Sequence, residues 1–393
     1  MPRDIVVASA VRTPIGAFQG ALADLSGPKL GAIAIADALK RAGLKNDEVD
    51  EVIMGCVLPA GQGQAPARQA SLFAGLPQKV PCTTINKVCG SGMKAVMMAA
   101  QAISAGDAEI IVAGGFESMS NAPYYLTKAR TGYRLGHGQL VDGVIKDGLW
   151  DVYNDFHMGN AAELCAKDLN ISRSAQDEYA RMSYERAQKA ATDGKFAKEI
   201  VTVEVPARKG PPVKVSADEE PLKSDLSKMG GLKPAFQPDG GTVTAANASK
   251  LNDGASALVV MSADEAKKRG LTPLAKITGF SSAAQAPEWF TTAPVAAVQT
   301  LLKKTNLRKD QIDLWEVNEA FAVVALAFAE RMNVSTDRMN VNGGAVSLGH
   351  PIGASGARIL TTLIHAMIDR NVKTGCATIC IGGGEATAML LER

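Results

Sequence analysis

Three side chains in glycine-rich settings carry the chemistry available to this sequence. Cys89 lies in Val88-Cys89-Gly90-Ser91-Gly92, His350 in Gly349-His350-Pro351-Ile352-Gly353, and Cys380 in Cys380-Ile381-Gly382-Gly383-Gly384. A thiol at a helix start gains thiolate character from the local backbone dipoles, and a nearby imidazolium stabilises it further. Glycines at 90 and 92, and the run 382–384, leave room for backbone N–H groups to approach a substrate carbonyl, as an oxyanion hole requires. The combination points to covalent acyl chemistry, with Cys89 as nucleophile and His350 as general base.

The chain has four histidines, so a base is easily nominated. His365, on the apolar face formed with Ile364 and Ile368, reads as structural. His137 and His157 fall in an irregular middle region, where surface and ligand-contact roles both stay open. Cys56, Cys82, Cys165 and Cys376 read as small buried hydrophobes. No spacing resembles a metal site, and neither Gly353-Ala354-Ser355-Gly356 nor the triple glycine fits a dinucleotide fingerprint.

The elements that must position these residues are duplicated. Segments 38–50 and 301–313 align without gaps at an offset of 263. Each reads as an amphipathic helix closed by Gly43 or Asn306, followed by a strand at 51–54 or 314–317. The echo continues: Ser91-Gly92 opens a helix at 93–104 before a strand at 109–113 ending in Gly114-Gly115. Ser355-Gly356 likewise opens a helix at 357–368 before a strand at 377–381. Two α/β halves follow, 1–120 (completed by about 250–270) and 271–393, with mainly parallel sheets. Cys89 plus 263 falls within two residues of His350, so their loops are equivalent and can face one another. Residues 121–249 form an insertion with one convincing helix at 175–191, suited to binding or assembly. The apolar stretch 243–261 is expected to pack back on the first half.

Composition excludes several classes. At 393 residues the chain is long enough for more than one core, and 46% hydrophobic against 21% charged residues suits a folded soluble protein. The net charge of +2 is dispersed, so no nucleic-acid partner is expected. The block Lys303-Lys304-Thr305-Asn306-Leu307-Arg308-Lys309 reads as a solvated helix end. No apolar run approaches a membrane span. The N-terminus moves straight into a strand pattern, and six cysteines read as free thiols, so the expectation is a cytoplasmic protein.

With those residues located, four motifs closely resemble the signatures of the thiolase family. They are Asn86-Lys87-Val88-Cys89-Gly90-Ser91-Gly92, Val317-Asn318-Glu319-Ala320-Phe321, Asn342-Gly343-Gly344-Ala345 through Gly353, and Cys380-Ile381-Gly382-Gly383-Gly384. The likeness spans residues 4 to 391. It implies the thiolase fold, two duplicated α/β halves in a layered αβαβα arrangement, with an inserted loop domain for CoA binding and oligomerisation. It also implies a homotetramer.

By this resemblance, Cys89 takes the acyl group from one acetyl-CoA, with His350 assisting and the amides of Cys89 and Gly382 holding the oxyanion. Cys380 then deprotonates a second acetyl-CoA, with Asn318 positioning a water at the enolate. The products are acetoacetyl-CoA and CoA, and thiolysis is the reverse. No prosthetic group is implied. CoA thioesters would lie against His157, Met158, Ser249, Ala320 and Phe321, with Met158 limiting the acyl pocket as in the short-chain, acetoacetyl-CoA type. The wording of Trp315-Glu316-Val317-Asn318, Ala246-Asn247-Ala248 and Ala345-Val346-Ser347 is similar to potassium-responsive members, which implies K⁺ among Tyr184, Ala245, Ala246, Ala248 and Val346. Two departures stand out: residues 287–297 differ from the bacterial biosynthetic pattern, and Pro221 stands where many relatives have an Arg.

The alternatives are a broader-chain 3-ketoacyl-CoA thiolase, a Cys/His hydrolase, which has no need of Cys380, and a CoA-binding scaffold without activity.

Overall fold

The computed structural model describes residues 3–207 and 209–393. A ten-stranded sheet runs through the molecule. Its main strands are β1 (Ile5–Arg12), β2 (Glu51–Gly55), β3 (Cys82–Ile85), β4 (Ile110–Ser118), β5 (Asn252–Ser262), β6 (Ala275–Ala284), β7 (Leu314–Val317), β8 (Thr374–Ile381) and β9 (Glu385–Glu392). Their order is β7-β8-β9-β6-β1-β5-β4-β2-β3. In the first half β2 and β4 are parallel, while β5 is antiparallel to both β4 and β1. In the second half β7 and β8 are parallel, and β9 is antiparallel to both β8 and β6. The halves join where β1 and β6 run antiparallel, Ile5 opposite Ile277.

The expected mainly parallel sheets are therefore mixed instead. The reason is visible in the second half: β8 and β9 are joined by Gly382-Gly383-Gly384 alone, too short for a parallel crossover. Gly383 and Gly384 take φ of 89° and 82°, which a residue with a Cβ adopts only under strain.

The main helices are α1 (Gly27–Ala42), α2 (Ser91–Ala105), α3 (Met158–Asp168), α4 (Arg173–Thr192), α5 (Ala293–Thr305), α6 (Ala322–Met332), α7 (Ala345–Leu348) and α8 (Ile352–Asp369). Strand alternation assigns them to layers. Ile53, Ile111 and Leu258 face inward to α2 and α8, which also pack on Ile379 and Met389 of the other half. Their neighbours Val52, Val112 and Val259 face outward to Leu30, Ile35 and Leu39 of α1. On the far side α5 and α6 cover Trp315, Val317 and Leu390 through Val298, Leu301 and Phe328. The layering is αβαβα, as expected. Helix α8 is buried through almost its whole length because it lies between the two sheets, and its polar side chains Ser355, Arg358, Thr361 and Thr362 are buried with it.

The two central helices touch backbone to backbone. A Cβ on Gly92 would lie 2.7 Å from the Ala357 amide nitrogen, and one on Gly356 would lie 2.4 Å from that of Met93. This reciprocity is what a twofold relation between halves produces.

Local differences from expectation have identifiable causes. Strand β4 continues through Gly114 and Gly115 to Ser118 because both glycines pair with β5. Helix α8 begins at Ile352, not after Gly356, since Pro351 supplies its extended entry. The insertion holds α3 as well as the expected α4, whose start is capped by Ser172 Oγ accepting the Ala175 N–H at 3.1 Å. Strand β5 packs 252–262 on the first half, whereas 243–249, also expected there, lies against the second half through the bonds from Ser249 N–H to Ala320 O and from Ala322 N–H to Asn247 O.

Candidate active site

A cavity of about 550 Å³ opens where the loops ahead of α2 and α8 meet the β8–β9 turn, and Cys89, His350 and Gly382 line it. Cys89 follows a turn tied down on all sides. The Ser91 hydroxyl accepts from the Lys87 N–H (2.8 Å) and donates to Val88 O (2.7 Å), while Asn86 Oδ1 accepts the Val88 N–H (2.9 Å). Val88, a β-branched residue, is held at φ 45°. That strained conformation immediately before the thiol is the local signature of a functional turn.

The Cys89 thiol is half-buried, and burial pushes its pKa up to about 11. The amides of Gly382 and of Cys89 itself hydrogen-bond the sulfur and act against that rise, and the Glu117 carboxylate adds to it. The expected thiolate is thus a thiol, because desolvation outweighs the backbone N–H groups around it.

His350 is neutral, not the imidazolium the sequence suggested. Burial, followed by repulsion from Arg358, lowers its pKa to about 3. Its backbone N–H donates to Asn252 Oδ1 at 2.9 Å. Ser355 Oγ lies 2.5 Å from Nδ1 and donates its own hydrogen to Pro351 O at 2.9 Å. The hydroxyl must then accept from Nδ1–H, which leaves the Nε2 lone pair open to take a proton. Asn318 Nδ2 stands 3.4 Å from Nε2. The Asn318 side-chain oxygen is buried without a hydrogen-bond partner among the described residues, a condition that favours a polar ligand there.

Cys380 does not line the cavity. It ends β8 fully buried among Met158, Phe290, Ala320 and Phe321, and burial, then proximity to Cys89, drives its pKa well up. The two thiols are therefore neighbours, one at the cavity surface and one behind it.

His157, Met158, Ser249, Ala320 and Phe321 all line the same cavity. The Ser249 N–H donates to Ala320 O at 3.0 Å, and Ala248 bridges Phe321, so two distant segments form one wall. His157 accepts the Gly159 N–H at Nδ1 (3.0 Å) and stacks on Phe236 with 4.8 Å between ring centroids. Burial lowers the His157 pKa. The expected roles of the other cysteines and His365 agree with their setting. Cys56, Cys165 and Cys376 are buried and Cys82 half-buried, and His365 Nε2 reaches Ala10 O at 2.9 Å. His137 is exposed.

Of the expected potassium set, Tyr184, Ala246 and Val346 share one core cluster, and Ala245 and Ala248 line the cavity beside it. The set does not fit a potassium ion. The Lys250 ammonium already stands among these residues, donating to Tyr184 Oη and to Val346 O (3.4 Å), with its nitrogen 4.8 Å from the Tyr184 ring centroid. A second cation there would meet like charge.

Several positioning residues escaped the sequence reading. Ser355 and Asn252 fix His350. The buried Glu319 carboxylate accepts from Tyr179 Oη (2.9 Å), Ser183 Oγ (2.7 Å), Asn340 Nδ2 (2.8 Å) and the Val346 N–H (3.1 Å), and so locks the loop after Asn318. An acid directly ahead of the apolar run Ala320–Val324 was the available signal. Phe236 and Phe290, also in the cavity wall, carried no signal.

Residues 5–264 match the thiolase N-terminal domain and residues 271–393 the thiolase C-terminal domain. Among curated relatives, acetyl-CoA acetyltransferase of Cupriavidus necator is 55% identical, covering 99% of each chain. Acetyl-CoA acetyltransferase 2 of Arabidopsis thaliana is 54% identical over 100% of this chain and 97% of its own. The mitochondrial acetyl-CoA acetyltransferase of Homo sapiens is 52% identical over 100% and 91%. Among solved structures, the Bacillus anthracis acetyl-CoA acetyltransferase superposes with TM-score 0.97 at 42% identity, covering 100% of this chain and 99% of that one. The Acat5 thiolase of Ascaris suum in complex with coenzyme A gives 0.94 at 45% identity, with both chains fully covered. With both domains matched over nearly the whole length and the layered fold to go with them, the chain belongs to the thiolase family.

Proposed function

We propose that this protein is an acetyl-CoA acetyltransferase that condenses two acetyl-CoA into acetoacetyl-CoA and CoA through an acetyl-Cys89 intermediate. The observation that carries it is one cavity lined by the Cys89 thiol, the His350 imidazole and Gly382, with a second thiol, Cys380, buried in the wall that Met158, Ala320 and Phe321 form.

The Cys89 sulfur attacks the thioester carbonyl while His350 Nε2 takes its proton, so no standing thiolate is needed. The Cys89 and Gly382 amides hold the oxyanion. As the intermediate collapses, the C–S bond to CoA breaks and the imidazolium protonates the leaving CoA thiolate. A second acetyl-CoA enters; Cys380 first passes its own proton to His350 Nε2 and then, as the thiolate, removes the α-proton. The enolate oxygen is held by the His350 imidazolium and a water on Asn318, the enolate carbon takes the acetyl group from Cys89, and the Cys89 thiolate so released recovers the proton from His350. Because Cys380 is buried, it acts as base only on an α-carbon pressed against the Met158 and Phe321 wall. The same wall favours a short acyl chain over a broader-chain substrate. A Cys/His hydrolase gives no role to a second thiol beside the first.

The CoA part lies along His157, Ser249 and Ala320, in a cavity of ordinary size for a small-molecule site. No prosthetic group is required. Among the described residues no helix is long and apolar enough to cross a membrane. The reading includes a cytoplasmic site of action, no nucleic-acid partner and a homotetramer. Exposed apolar side chains at Tyr124, Leu126, Leu135 and Leu140 support such an assembly.

The test is incubation with acetyl-CoA, followed by mass analysis of the Cys89 peptide and assay of acetoacetyl-CoA. Cys380→Ala should keep the acetyl label on Cys89 yet lose condensation, and Cys89→Ala should lose both. Condensation without label on Cys89 would sink the mechanism.

A further inference from the structure

Lys250 has no part in the chemistry above, yet it sits where two regions of the site join. Its side chain is about one quarter exposed, and its ammonium contacts groups from three separate segments. These are Tyr184 Oη on α4, Val346 O on α7, and Glu220 Oε2 at 3.8 Å. The Glu220 carboxylate accepts from Asn252 Nδ2 at 3.4 Å, and Asn252 Oδ1 accepts the His350 N–H at 2.9 Å. On the other side, Lys250 follows Ser249, whose N–H holds the cavity wall at Ala320 O.

We propose that Lys250 is a built-in monovalent cation: a positioning residue whose ammonium ties the CoA-facing wall to the loop that carries His350 and makes the enzyme independent of potassium. An isolated, partly solvated ion pair at such a distance would contribute little. Here the ammonium also meets a phenol oxygen and a carbonyl oxygen, and an ammonium gains from both. Ammonium and K⁺ are both single positive charges that accept oxygen neighbours; what differs is the tether. A covalently held cation is always present, so the wall and the His350 loop are joined at any salt composition.

The inference rests on the proposed acetyl-CoA chemistry for its activity readout, and melting temperature supplies a second one. In wild type, kcat, KM and Tm should be the same in KCl and in NaCl at equal ionic strength. Lys250→Thr, which opens the space, should lose roughly ten- to a hundredfold in kcat/KM in NaCl. KCl should restore much of that loss and raise its Tm, and LiCl should not. Lys250→Met, which keeps the stem without the charge, should stay impaired in every salt. Rescue by K⁺ is an outcome that a merely space-filling lysine would not give. A wild type stimulated severalfold by K⁺, or a Lys250→Thr enzyme that K⁺ neither reactivates nor stabilises, would overturn the inference. Should neither variant fold, the wild-type salt comparison decides it. A wild type inactive on acetyl-CoA in all salts would sink the proposed function, leaving Tm to judge Lys250.

Discussion

The loops ahead of the two central helices start alike and end differently. Both contain the same tight parallel bridge, Lys87 with Cys89 in the first half and Val341 with Gly343 in the second. In the first half α2 begins at Ser91, directly after the thiol; in the second, α8 waits until Ile352, and α7 and His350 fill the gap. By this bridge the counterpart of Cys89 is Gly343, so His350 comes from added chain, not from the residue that duplicates the nucleophile. The short loop leaves a thiol at the cavity surface behind a strained Val88. The long one has enough chain to bury an imidazole and to fix both its ring and its backbone. Two loops that share the same bridge thus serve two opposite needs, access for the nucleophile and desolvation for the base.

The two thiols sharpen that contrast most strongly. With its pKa near 11, Cys89 holds a thiolate fraction that grows roughly tenfold per pH unit below that value. Iodoacetamide labelling of Cys89 in the substrate-free enzyme should therefore rise about a hundredfold from pH 7 to pH 9. Cys380, fully buried and shifted further, should stay unlabelled over that range. Peptide mass analysis reads both sites. A labelling rate at Cys89 flat in pH would mean a thiolate–imidazolium pair already exists at rest, contrary to a neutral His350.

The twofold relation itself is exposed to a smaller test. Gly356→Ala places a methyl 2.4 Å from the Met93 amide nitrogen, and Gly92→Ala places one 2.7 Å from that of Ala357. Each should cost about 1–3 kcal/mol by overpacking, seen as a lower urea midpoint. Unequal costs, one large and one near zero, would show that the helices do not cross symmetrically.

How much of this was legible in the sequence differs by region. The duplicated helix and strand around Asn306 and Leu314 were readable because αL caps and amphipathic spacing are local signals. Cys89, His350 and Cys380 were readable because glycines around a reactive side chain are local too. The α3 stripe Met158, Ala161, Ala162, Cys165 and Ala166 had helical spacing but was hidden by small side chains. What the sequence could not give was desolvation. The reversal of Cys89 from thiolate to thiol, and of His350 from cation to neutral base, depends on how many layers close over them. Lys250 was equally opaque, since its partners Tyr184, Glu220 and Val346 are scattered along the chain.

Ser355 offers the finest test of why the second loop buries its histidine. Its hydroxyl is committed to Pro351 O, so it can only accept at His350, and that acceptance selects the tautomer whose Nε2 faces the cavity. Ser355→Ala removes the acceptor while leaving the Asn252 hold on the backbone intact. The loss of one buried hydrogen bond, about 1 kcal/mol, corresponds to a rate effect of roughly fivefold. Because the lost contact lies on the far side of the ring from CoA, the fall should appear in kcat with KM for acetyl-CoA little changed. An equal rise in KM would place Ser355 in substrate binding. An unchanged kcat would mean that burial alone orients His350, and that the longer loop serves only to exclude water.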